Sequence, residues 1–417
     1  LNGEDIPWVQ YYKYMGMWFN STTRDIFRTH YEKKCAAAAY VSWKTVLGCD
    51  HYVGRGRLPP LVGCQLYYAL IDCHLIHGYD VALDVDKTSM ELLDSLNRVI
   101  LHRILGVGKH SGIVQLYSEL GIYPLHVRHT ELAIWYLRYL LALPSTHLAH
   151  KALEEADRLC RKTKSSWLGD LAFVLGNLPF MAPTLPSLTN LTVNGCDSLI
   201  HQLRTRAKQW VADSIAGMVS LPLLHGRLEP QEKGAPRAIQ LCRQHYLSRV
   251  LVTDHRLALT CLVCASFYFQ GLHTDTSSFP FSQLSCRKCG MDVETPGHVF
   301  IQCRKARTVE ARHELRVALL QDFQVVLPET HSREAMEEII CHLIFDWNTV
   351  IPMARFIYKV VRSWRGFGRR LSSMVGEIVP ETEDGIILFG NPASSGNPTL
   401  PRTPTNCLFG NPSAITS

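Results

Sequence analysis

Four residues constrain this chain more than any other feature: Cys286, Cys289, His298 and Cys303, in the order Cys-x2-Cys-x8-His-x4-Cys. Two cysteines separated by two residues can chelate one ion from a single tight turn. Gly290 suits that turn, because the position after the second cysteine often takes a positive φ. His298 and Cys303 then close the shell. Thiolate and imidazole are the donors zinc prefers, and four protein ligands leave no open position for water. The spacing therefore predicts a structural Zn2+ site or a nucleic-acid grip, not a hydrolytic centre. The plain alternative is three buried thiols and a surface histidine that meet by accident. A second Cys-x2-Cys, Cys261 and Cys264, lies in an apolar run without a turn residue and reads as core thiols.

The chain has 417 residues, room for two or three modest domains. Its 43 Lys and Arg against 37 Asp and Glu leave a net charge of +6, which permits a polyanionic partner without demanding one. Fourteen cysteines are scattered, mostly within apolar runs, where thiols behave as small hydrophobes. The opening residues are polar and aromatic and do not resemble a signal peptide. The most apolar helical run, residues 132–143, is too short to span a bilayer and carries Arg138. The expectation is a reduced protein of nucleus and/or cytoplasm without membrane contact. Because it starts at Leu1, an upstream portion is expected to be missing.

Apolar periodicity predicts a mainly α-helical fold after a short N-terminal β hairpin at residues 11–19. Helices are expected at 29–47, 62–77, 89–105, 112–120 and 127–143. Together they suggest a helical bundle over residues 21–176, and a Pro-rich linker follows at 177–196. A helix capped by Asp197 and a helical stretch at 237–271 make up a second helical region, 197–285, leading to the small Cys-Cys-His-Cys knuckle at 286–303. Residues 304–376 are expected to hold further helices at 304–323 and 335–347, with a third opened by Pro352. The tail, 377–417, repeats LFGNP at a period of twenty residues and has the composition of a disordered segment.

Several basic residues are candidates for nucleic-acid contact. Arg287 and Lys288 lie inside the knuckle, and Arg304 and Lys305 follow it. At 100° per residue, Arg355, Lys359 and Arg362 share one helical face, opposite Phe356, Ile357, Val360, Val361 and Trp364; Arg369 and Arg370 extend the charge. Arg204, Arg206 and Lys208 form another basic face. The alternative for each is a solvated surface over a core stripe. Phe300 could stack on an unpaired base or plug the knuckle. Asp254 reads as a cap beside His255. Asp80, Asp84 and Asp86 read as loop or capping residues, not a metal site.

Three groups of residues, in their order, resemble the C-terminal portion of non-LTR (LINE-type) retrotransposon reverse transcriptases, fungal ones especially. The run Tyr12-Lys13-Tyr14-Met15-Gly16-Met17 looks like the strand after the polymerase palm, so residues 1–20 would end the palm and primer-grip region. Residues 65–70 (QLYYAL), His77-Gly78, 103–107 (RILGV) and 119–125 (ELGIYPL) look like the helical thumb. Residues 253–257 (TDHRL), with Glu294-Thr295-Pro296-Gly297-His298 and the cysteines, look like the terminal zinc knuckle. The resemblance implies RNA and/or DNA as partner, along with the upstream polymerase region of the same element. It places Mg2+ only in that missing catalytic part, since no Asp-Asp pair occurs in this chain. The expected catalytic residues are therefore none. The alternatives are a stand-alone zinc-knuckle nucleic-acid-binding protein and a remnant of a mobile element.

Overall fold

Tyr11–Tyr14 (β1) and Met17–Asn20 (β2) pair antiparallel, Tyr12 opposite Phe19 and Lys13 opposite Trp18. Met17 turns inward while β1 stays exposed. In this computed structural model the described residues are 8–363, apart from 22–24, 55, 109–110, 227, 230–236, 239–240, 268, 270–280 and 329–331. The described residues all belong to one compact unit. The tail, its repeats, Trp364, Arg369 and Arg370 lie outside the described residues.

The chain is mainly helical, as its periodicity predicts. Besides single turns at Asp50–Val53 and Phe281–Leu284, the helices are α1 (Arg28–Lys44), α2 (Pro60–Leu66), α3 (Asp72–Ile76), α4 (Lys87–Leu105) and α5 (Ile113–Leu120). After them come α6 (Leu125–Ala142), α7 (Leu148–Arg161), α8 (Trp167–Gly176) and α9 (Val193–Ala216). Then follow α10 (Tyr246–Arg249), α11 (Thr253–Val263), α12 (Ala306–Phe323), α13 (Arg333–Phe345) and α14 (Val350–Arg362). Among the described residues, no helix is long and apolar enough to cross a membrane. A π turn at Tyr67–Ile71 joins α2 to α3, so the single helix expected at 62–77 has a bulge in it. Asp86 caps α4 by accepting the Ser89 N–H at 2.8 Å, and Gly106 ends it in the left-handed conformation.

Two expectations are corrected. Thr192, not Asp197, caps α9, accepting the Gly195 N–H at 3.0 Å; Asp197 is in the first turns and pairs with Arg138 at 2.8 Å. The stretch 237–271 is not one helix. Leu228–Glu229 pairs with Arg237–Ala238, and α10 and α11 are separated by Val250-Leu251-Val252, where the backbone is extended at both valines.

Two apolar cores organise these helices. Leu137 of α6, Leu153 of α7, Leu171 of α8 and Leu203 of α9 centre one. The other is built by the hairpin, α1 to α5, the end of α9, and α10 to α14. Phe300 and Val299, from the knuckle, belong to this second core. The metal-ligand segment is thus held against α12, α13 and α14 rather than standing apart.

Candidate metal centre

Local geometry brings the four ligands together from two turns. The first is a small hairpin: Ser285 bridges Val293, the Cys286 N–H donates to the Asp292 carbonyl at 2.7 Å, and the Glu294 N–H donates to that of Leu284 at 2.9 Å. Between them the Gly290 N–H reaches back to the Cys286 carbonyl at 2.8 Å. Gly290 has φ +66°, with open space where a Cβ would sit, so backbone conformation alone asks for glycine there. The backbone N–H groups of Lys288 and Cys289 point at the Cys286 sulfur, a setting that favours thiolate.

The second turn is a π turn at His298–Gln302, closed by the Cys303 N–H donating to the His298 carbonyl at 2.7 Å. In an α-helix, residues five apart stand about 140° from each other around the axis. The wider turn brings them to one side. That explains why His-x4-Cys can serve a single ion. The Thr295 hydroxyl accepts the His298 N–H at 3.2 Å, and a Cβ on Gly297 would come within 3.1 Å of Met336 Cβ, so the turn seats closely on α13.

The four ligand atoms all lie within 4.8 Å of one another. Cys286 Sγ is 4.0 Å from Cys303 Sγ, and Cys289 Sγ is 3.1 Å from His298 Nε2. A tetrahedron built on zinc bond lengths has S···S edges of about 3.8 Å and S···N edges of about 3.5 Å. The cluster is close enough to bind one metal ion and its dimensions are compatible with zinc. Cys286, His298 and Cys303 are buried; Cys289 is the ligand with solvent access. Burial works against charge on His298, but the Cys286 and Cys289 sulfurs outweigh it and raise its pKa to about 9. The Cys303 hydrogen bond, then burial, pushes the Cys286 thiol up to about 12, while the same hydrogen bond lowers Cys303. The metal-free cluster therefore holds protons that a metal would displace.

The charges around the cluster are mostly spoken for. Three thiolates on a dication leave one negative charge, and Lys288 lies close to both Cys286 and Cys303. Its Nζ also donates to the Ser363 carbonyl at 3.4 Å, beyond the end of α14. The Arg287 guanidinium clasps the buried Glu294 carboxylate, with Nε 3.0 and 2.9 Å from its two oxygens; the Arg287 backbone N–H adds a bond of 3.0 Å. Arg312 of α12 donates to the carbonyls of Ile301 and Cys303 and so ties α12 to the π turn. From sequence, Glu294 was read only as part of the run before His298, with no partner assigned, and Arg312 was not singled out; an acidic residue set between ligands was the available signal for the pairing.

Arg304 and Lys305 are exposed beside the last ligand. On α14, Phe356, Ile357, Val360 and Val361 face the core, while Arg355 and Arg362 are exposed. Arg362 lies over the Tyr358 ring at 6.0 Å, and Lys359 pairs with Glu314. Phe300 is fully buried between the rings of Phe269 (6.4 Å) and Phe356 (5.9 Å), so it plugs the core. Arg204 pairs with Glu131, and Arg206 donates to the Met181 carbonyl.

The remaining candidates resolve structurally. Cys261 and Cys264 are buried core thiols. Asp254 pairs with Arg57 from the first turn of α11, whose cap position is Val252, and His255 packs on the Tyr358 ring at 5.0 Å. Asp84 accepts from His129 Nδ1 at 2.9 Å and from the Tyr31 hydroxyl at 2.6 Å. Asp80, Asp84 and Asp86 do not form a ligand cluster; among the described residues the Cys-Cys-His-Cys set is the one group of three or more potential ligands. No protein-family model, curated protein or solved structure matches this chain.

Proposed function

We propose that the four ligands hold Zn2+ and that the chain is the non-catalytic, nucleic-acid-binding C-terminal part of a non-LTR retrotransposon reverse transcriptase. The observation that carries this reading is a three-sulfur, one-imidazole cluster, buried at all but Cys289, with Arg304 and Lys305 exposed directly after its last ligand. The donor set favours zinc over hard cations, and the closed shell assigns the metal an architectural role. Arg304 and Lys305, with Arg355 and Arg362 of α14, offer cations to phosphates; each contact releases counterions. Lys288, Arg287 and Lys359 contribute less, since the first lies by the thiolates and the others have carboxylate partners. With Phe300 inside the core, the knuckle meets phosphate backbone and not stacked bases. Polymer synthesis, with its Mg2+, belongs on this reading to the upstream region of the element.

The test is binding of short labelled RNA and DNA to the zinc-loaded full chain, titrated over about 50 to 200 mM salt. Affinity should fall steeply with salt, and R304E/K305E should flatten the slope by about 0.7–0.9 for each phosphate left without its cation. Absent binding, or an unchanged slope, rejects the grip. A purely structural metal centre is the second reading, favoured by the Arg287–Glu294 pairing, and it predicts that outcome with zinc still bound.

A further inference from the structure

His298 turns Nε2 toward the sulfurs, 3.1 Å from Cys289. Its other nitrogen, Nδ1, is buried and has no hydrogen-bond partner among the described residues. A metal-binding imidazole is neutral, so with Nε2 on the ion the proton resides on Nδ1. A buried N–H without an acceptor costs about 1–3 kcal/mol. The site therefore has an unmet demand for an acceptor on that side of the ring.

One carboxylate is placed to meet it. Asp292 Oδ2 stands 3.7 Å from His298 Nδ1, too far for a hydrogen bond and near enough to become one. The residue is anchored at two other atoms. Its Oδ1 accepts the Val293 N–H at 2.7 Å, and its carbonyl accepts the Cys286 N–H at 2.7 Å. These leave Oδ2 as the oxygen directed at the ring. The Asp292 side chain is 53% exposed, so its movement is not opposed by packing. The neighbouring acid, Glu294, is already taken by Arg287.

We propose that Asp292 is the outer-shell acceptor of the metal centre, receiving the His298 Nδ1–H when a metal occupies Nε2. The carboxylate fixes the tautomer, aims the ring and raises the basicity of Nε2. Through its carbonyl the same residue steadies Cys286, so one side chain and one peptide link a ligand from each turn. Asp292 is a positioning residue and touches no metal. The inference rests on the metal reading above.

The experiment is zinc affinity of the full chain by chelator competition, for the natural protein, D292N, D292A and D292E. D292N is the sharpest variant. Its amide oxygen can keep the Val293 bond, which places an NH2 group, a donor, opposite Nδ1–H. Both D292N and D292A should bind zinc about 10- to 100-fold more weakly, and D292E should recover part of the loss. Cobalt(II)-substituted absorption should keep its tetrahedral thiolate pattern in every variant, which separates a missing acceptor from a missing ligand. 15N-histidine spectra should show one ring metallated at Nε2 with a hydrogen-bonded Nδ1 proton that D292N abolishes. Affinity of D292N within threefold of the natural protein, or a ring metallated at Nδ1, overturns the assignment. A natural protein that takes up neither metal rejects the metal reading and this inference together; one that binds normally and ignores D292N rejects this inference alone.

Discussion

Replacing Arg287 with alanine decides whether that arginine serves the metal centre or a nucleic acid. Glu294 has a fully buried side chain, and Arg287, 40% exposed, is the side-chain cation paired with it. Without the guanidinium, the carboxylate keeps the backbone N–H of residue 287 at 3.0 Å and little else. Breaking a fully buried pair by removing one partner costs about 3–5 kcal/mol, whereas an exposed pair is worth about 0–1 kcal/mol. Arg287 stands between these limits, which gives about 1–3 kcal/mol. Arg287 lies between two metal ligands in sequence and Glu294 four residues before a third, so this cost falls on the metal-ready conformation. At about 1.4 kcal/mol per factor of ten, zinc affinity should drop about 5- to 150-fold. Chelator competition on R287A measures it. Adding E294Q removes the stranded charge, so R287A/E294Q should recover most of the missing affinity. If R287A binds zinc within twofold of the natural protein while its RNA or DNA affinity falls, the argument fails and Arg287 is a phosphate contact.

Three further outcomes follow from the packing. F300A should destabilise the protein by about 3–5 kcal/mol, read by urea unfolding, because the ring fills a fully buried site between Phe269 and Phe356; zinc stoichiometry should stay at one. G121A should cost more than about 2 kcal/mol and speed hydrogen exchange at residues 242–247. Gly121 has φ +70°, and a Cβ there would lie 2.5 Å from the backbone nitrogen of Arg243. Acidification should weaken the fold through His30, whose pKa burial lowers from 6.5 to about 4. Between those values the unfolded chain binds a proton that the folded one does not, so stability falls as pH drops through this window and levels off below about 4. The neutral ring donates Nε2–H to the His77 carbonyl at 2.9 Å and accepts the Trp18 N–H at Nδ1, a pattern glutamine can copy; H30Q should therefore show a shallower acid loss than the natural protein in matched urea titrations.

What the sequence disclosed, and what it withheld, follows from how far apart the cooperating residues lie. The ligand spacing was readable because a Cys-x2-Cys turn is local chemistry. The stripe along α4 was readable for the same reason, since Leu93, Ile100 and Ile104 repeat at helical spacing whatever they pack against. The outward charge of Arg355 and Arg362 followed from the same arithmetic on α14. Partners, by contrast, are set by turns that no periodicity encodes. Arg287 meets Glu294 only because the hairpin between Cys286 and Val293 folds back on itself, a register fixed by Gly290 and the Cys286–Asp292 bond. Lys359 meets Glu314 because α12 lies against α14. Each pairing gives a carboxylate partner to a cation that sequence alone would have assigned to a polyanion. Counting basic residues therefore overstates a nucleic-acid face wherever a carboxylate or a thiolate cluster is nearby. On this chain the cations that best survive that correction beside the metal centre are Arg304 and Lys305, and it is on them that the phosphate-binding reading must stand.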